Sequence, residues 1–80
     1  MKMDEFDLTV ETLKGVRPYR PFTIVLMNGD RYEIDHPGAI SIREGFAIYI
    51  APGKVPIYFN HDGVNQIIGD LIEAGRELSK

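Results

Sequence analysis

Between Phe22 and Asn60 the apolar residues recur at every second position, and short glycine- or proline-bearing pairs cut the run into pieces. A period of two puts alternate side chains on opposite faces of an extended chain, so this stretch is committed to short antiparallel strands joined by tight turns. Phe22, Ile24 and Leu26 point one way, with Thr23, Val25 and Met27 opposite. Asn28-Gly29 follows, a pair suited to the two positive φ angles of a type I′ hairpin. The return strand sets Tyr32, Ile34 and His36 on one face and Arg31, Glu33 and Asp35 on the other. Pro37-Gly38 bends the chain, Ile40 and Ile42 face inward, and Glu44-Gly45 makes a second turn. Phe46, Ile48 and Ile50 are expected to face the core, with Ala47, Tyr49 and Ala51 facing away. After Pro52-Gly53 comes a last short strand, in which Pro56 marks a sheet edge or strand end. Four to five such strands form an antiparallel meander that curls toward a small, partly open barrel.

The flanks have a different rhythm. Over residues 6–16, Phe6, Val10 and Leu13 share one helical face, joined by Val16 or Leu8. Asp4 or Asp7 is the expected cap. Gly15, Pro18 and Pro21 end this helix, and Tyr19 or Phe22 pins the stiff Arg-Pro-Tyr-Arg-Pro linker to the core. Beyond Asn60-His61-Asp62-Gly63, the residues Val64, Ile67, Ile68, Leu71, Ile72, Gly75 and Leu78 draw an amphipathic stripe. That spacing predicts a helix over 64–78, capped by Asn60 or Asp62. The rival reading is a strand over 64–68 that closes the sheet. The fold class expected is α+β, one domain spanning residues 1–80.

Eighty residues without a cysteine leave no disulfide, thiolate nucleophile or thiolate zinc ligand. A chain this short hides only about 60–65% of its unfolded surface, so self-association is a natural source of added stability. No segment reaches the ~20 apolar residues that span a bilayer, and no signal-peptide core is seen, which sets a cytoplasmic location as the expectation. The net charge is −3, and residues 17–61 hold five bases against four acids. That near-neutral middle disfavours strong non-specific binding to nucleic acid.

The stretch Arg17-Pro18-Tyr19-Arg20-Pro21-Phe22, then an apolar strand to Met27, Asn28-Gly29, a strand over 31–35 and His36-Pro37, carries a resemblance. It is similar to a family of small uncharacterised bacterial proteins frequent in planctomycetes, in which a short helix precedes this order of features. The resemblance covers about residues 8–50, with Asn28, Gly29, His36 and Pro37 as its signature. It implies an SH3-like or Sm-like barrel, usually ended by a further strand, and implies no activity.

Asp35-His36 is the stretch closest to chemistry. Adjacent residues of a strand point to opposite faces, so the pair lacks the hydrogen bond that orients a catalytic imidazole. His36 is expected at the core's edge, a ring nitrogen bonding backbone at the bend. His61-Asp62-Gly63 reads as turn and cap chemistry. No metal spacing, nucleophile elbow or phosphate loop is present, so no catalytic residue, metal or cofactor is expected. Two binding surfaces remain. Val25, Met27, Tyr49 and Tyr58, with Ala47, alternate opposite the assigned core and form a candidate face for a protein partner or second copy unless a helix covers them. Arg17, Arg20, Arg31 and Arg43, interleaved with tyrosines, are the alternative, an RNA or single-strand contact of the kind small barrels make. The absence of a metal role makes a direct forecast: a chelator leaves the melting temperature unchanged, and a lower melting temperature together with zinc by elemental analysis overturns it.

Overall fold

A computed structural model describes residues 1–69. Helix α1 spans Met3–Lys14, and six strands follow: β1 Phe22–Leu26, β2 Arg31–Ile34, β3 Ile40–Arg43, β4 Phe46–Ala51, β5 Val55–Asn60 and β6 Val64–Ile68. Single 3₁₀ turns at Pro37–Ala39 and His61–Gly63 precede β3 and β6. The strands make two antiparallel three-stranded sheets, ordered β2-β1-β6 and β3-β4-β5. The architecture is therefore α+β, and the two sheets do not close on one another through a shared ladder. No helix among the described residues is long and apolar enough to cross a membrane.

Helix α1 starts earlier than its apolar stripe implies. Its N-cap is Lys2, with no side-chain cap; Asp4 and Glu5 lie in the first turn, where acids favour the helix dipole. Asp7 turns away from capping, and its carboxylate accepts the Gly45 N–H at 3.0 Å. Phe6, Val10 and Leu13 are buried as the spacing requires, whereas Leu8 lies on the solvent side. The C-terminal carbonyls of Lys14 and Val16 accept from the Arg17 guanidinium, and Lys14 Nζ donates to the Ile40 carbonyl at 3.0 Å. The linker is fixed by both expected residues. The Tyr19 hydroxyl donates to the Ile34 carbonyl at 2.6 Å and its ring meets Phe22 edge-on.

The first hairpin differs from the expected two-residue type I′ turn. Only Gly29 has positive φ, at 96°, and Asn28 does not share it. The Gly29 N–H donates to the Leu26 carbonyl, the Leu26 N–H donates to the Asp30 carbonyl, and the Asn28 Oδ1 accepts from the Asp30 N–H. This is a three-residue loop over Met27-Asn28-Gly29, in which the asparagine side chain completes a turn its backbone need not strain to make. The type I′ pattern occurs instead at Glu44-Gly45, with φ of 51° and 83°.

Residues 64–68 are a strand, not the start of a helix. They pair with β1, Ile24 opposite Ile67 and Leu26 opposite Val64, with a bulge between Val25 and Leu26. The bulge adds one residue to β6 between these pairs, so Val64 and Ile67, three apart, both face the core. The remainder of the expected helix, residues 70–78, lies outside the described residues.

The face assignment of β4 is inverted relative to expectation. Ala47 and Tyr49 are in the core, and Phe46, Ile48 and Ile50 are outside. The Glu44-Gly45 turn sets this phase, because a two-residue loop pairs Arg43 with Phe46, Ile42 with Ala47 and Ile40 with Tyr49. Partners in a ladder share a face. Phe46 consequently goes out with Arg43, while Ala47 and Tyr49 go in with the isoleucines. Pro56 sits on β5, an edge strand of its sheet, as its missing N–H requires.

Two glycines test this geometry. Both Gly29 and Gly45 have positive φ, but a Cβ at Gly45 would lie 2.6 Å from the His61 ring and 2.8 Å from Met3, and one at Gly29 would meet nothing. Gly29→Ala should cost about 1–2 kcal/mol from backbone conformation alone. Gly45→Ala adds crowding of about 1–3 kcal/mol against a ring that is itself anchored. Urea unfolding of the two variants should rank them so, and equal losses would contradict this packing.

Candidate functional site

Two surfaces deserve comparison: the cleft beside Asp35-His36 and the outer face of the β3-β4-β5 sheet.

The cleft holds about 350 Å³ and is lined by Glu33, Asp35, His36, Tyr49 and Lys54 among others. His36 is exposed, not packed at the core's edge, and its extended backbone (φ −151°, ψ 158°) leads into the Pro37–Ala39 turn. Its carbonyl, not its ring, makes the expected bond at the bend, accepting the Ala39 N–H at 3.0 Å. No hydrogen bond joins Asp35 to His36. The second histidine lies in the other 3₁₀ turn, where its Nδ1 pairs with the Met1 carbonyl at 2.8 Å. Asn60 caps that turn by accepting the Asp62 N–H. Among the described residues, no three histidines, aspartates or glutamates gather in a way that holds a metal ion.

The cleft's electrostatics act on tyrosines. Burial first, then the Asp35 carboxylate, raises the Tyr19 hydroxyl above the ordinary tyrosine value of 10.0. Tyr49 is raised by burial, then by Asp35, Glu33 and Tyr32. Tyr32 is raised by burial and then Asp30. The Tyr49 hydroxyl donates to the Glu33 carbonyl at 3.1 Å, a bond its ionised form lacks. These phenols fasten β2 to its neighbours and are structural in character.

The expected interaction residues do not form one surface. Val25 and Tyr49 are buried, only 7% and 6% exposed. Val25 sits on the central strand between Arg31 and Gln66 on the same outer face, and Tyr49 stacks on Tyr32 with ring centroids 5.1 Å apart. Met27 is exposed at the tip of the first hairpin, and Tyr58 is exposed on β5 of the other sheet. Among the candidate nucleic-acid contacts, Arg31 and Arg43 lie on the outer faces of different sheets, Arg17 closes the helix end, and Arg20 is half-buried in the linker. Of the tyrosines, Tyr19 and Tyr49 spend their hydroxyls on backbone carbonyls and Tyr32 stacks inside the fold, which leaves Tyr58 to meet a base.

The surface that sequence reasoning missed is the outer face of β4 and β5. Phe46 is 65% exposed, Ile48 37%, Ile50 42% and Tyr58 72%. The ladder sets Ile48 opposite Tyr58 on one side and Ser41 on the other, with Ile50 opposite Pro56. A shallow furrow of about 360 Å³ lies between Phe46, Ile48 and Tyr58. The other sheet's outer face is mixed, carrying Thr23, Arg31, Glu33 and Gln66 with Val25 and the half-exposed Ile68. The missed signal was available in the Glu44-Gly45 turn, which ties the phase of β4 to Arg43.

The raised tyrosines predict alkaline sensitivity. The unfolded chain loses these protons near pH 10, whereas the fold keeps them to higher pH, so stability is whole below 10 and falls as pH rises past it. The urea midpoint should drop between about pH 8 and about pH 11, and the Tyr19→Phe/Tyr49→Phe double variant should show a smaller drop. A drop of equal size in the double variant would refute the assignment. Comparison with protein-family models, curated proteins and solved structures finds no match to this chain.

Proposed function

We propose that this protein is a non-enzymatic interaction module of SH3/Sm-like character, and that its working surface is the outer face of β4 and β5. The observation that supports the reading is the contrast between the two sheets. One outer face is mixed, and the other presents Phe46, Ile48, Ile50 and Tyr58 together. Taking about 200 Å² for a whole aromatic side chain, Phe46 and Tyr58 alone expose on the order of 270 Å². With Ile48 and Ile50 the patch reaches roughly 400 Å², within the range of a monomeric protein's largest patch. Leaving this area in water forgoes on the order of 10 kcal/mol of gross burial at 25 cal/mol per Å². A partner recovers part of it.

The polar cleft is the weaker candidate. No polar or charged side chain is buried among the described residues. Its acids, histidine and lysine are all exposed.

The test compares substitutions on the two outer faces. Phe46→Lys should leave the melting temperature within about 2–4 °C of the parent, as an exposed position allows, and abolish retention of whatever partner, protein or second copy, co-purifies with the parent chain. Arg31→Ala, on the other sheet, should retain it. Equal retention by Phe46→Lys would overturn the proposal. Retention of RNA that Arg31→Ala weakens would favour the nucleic-acid alternative instead.

A further inference from the structure

We infer that the partner on this face is a second copy of the chain, seated sheet against sheet about a two-fold axis near Ile48; the inference rests on the interaction-module reading above. Three features point to a copy and not to a partner of different composition.

The first is charge. Across the three strands the outer face consists of Ser41, Arg43, Phe46, Ile48, Ile50, Pro56, Tyr58 and Asn60, so Arg43 is its one formal charge, and it lies at the margin. A surface that meets itself must avoid like charges brought together at its centre, and this one does. A face evolved for a charged peptide or a phosphate backbone carries the opposite sign in several places.

The second is shape. Phe46 and Tyr58 project from the same face that contains the furrow beside Ile48. A two-fold axis through Ile48 carries the projections of one copy toward the recess of the other, so knob and hole come from one patch. Sheets stacked in this way lie about 10 Å apart with their strands turned by about 30°, which the twist of each sheet provides.

The third is area. A stable interface takes about 800 Å² from each partner, with an apolar centre and a polar rim. The patch supplies roughly 400 Å² of apolar centre, from aromatic areas and the exposures above. Ser41, Arg43 and Asn60 stand where the rim belongs.

The chain has no cysteine, which makes a site-specific test clean. Ile48→Cys places one thiol at the proposed axis, and Thr23→Cys places one on the outer face of the other sheet as control. Under a mild oxidant, Ile48→Cys should form a covalent dimer rapidly and Thr23→Cys should not. Sedimentation of the unmodified chain should show a dimer mass as concentration rises, and Tyr58→Arg should weaken association by about thirtyfold or more with an unchanged circular dichroism spectrum. A monomer at every concentration, or crosslinking of the two thiols at equal rates, overturns the inference. Occupancy of the face by residues 70–80 of the same chain gives that monomer and that absence of crosslinking. If the dimer fails while Phe46→Lys still loses a partner of different sequence, the interaction face stands and only the copy is wrong. If both fail, the module reading falls with it.

Discussion

The point at which the helix and both sheets meet is Phe6. It is fully buried, and its ring meets Phe59 of β5 edge-on with centroids 6.2 Å apart. Phe59 tilts against Tyr32 of β2, and Tyr32 stacks on Tyr49 of β4. A line of aromatics thus runs from the helix through one sheet to the other and back. Backbone ladders hold strands together within each sheet but not the sheets to each other, so this lateral contact does that work. Burying Phe6, Val10 and Leu13 stabilises by about 1.5–3 kcal/mol each. An isolated twelve-residue helix is marginal in water, so α1 exists because of that burial and not before it.

The same economy explains the bare face. One helix serves two small sheets, and its apolar side is used on their shared interior. The outer surface of β3-β4-β5 is left with nothing among the described residues to cover it. In a larger domain a further layer would bury Phe46, Ile48 and Tyr58. The exposed residues lie on successive same-face rungs of one ladder and make a continuous surface.

Much of this architecture is readable from residues. The change from a helical to a two-residue period at Phe22, the turn pairs, the bend at His36-Pro37 and the edge position of Pro56 are all local, because steric limits on Pro, Gly and Asn act within a few residues. Three things were not readable by the same means. Strand β4, Phe46-Ala47-Ile48-Tyr49-Ile50-Ala51, is apolar on both faces, so alternation defines its period and leaves its phase open. Residues 64–68 carry a helical apolar spacing that a strand accommodates only through the bulge in the pairing with β1. The Asn28 turn depends on whether a side chain or a second positive φ closes the loop.

The candidate site shows the same division. Val25, Met27, Tyr49 and Tyr58 alternate opposite the core assigned from the sequence, yet burial removes Val25 and Tyr49 and the two sheets separate Met27 from Tyr58. What the amino-acid sequence determines by itself is the N-terminal helix, strands of fixed period, turns at fixed places, and no cysteine. What tertiary structure decides is which side of each strand is inside. That choice depends on ladder partners and on helix α1, whose Phe6, Val10 and Leu13 join the common core. A strand with two apolar faces has no internal reason to prefer either one.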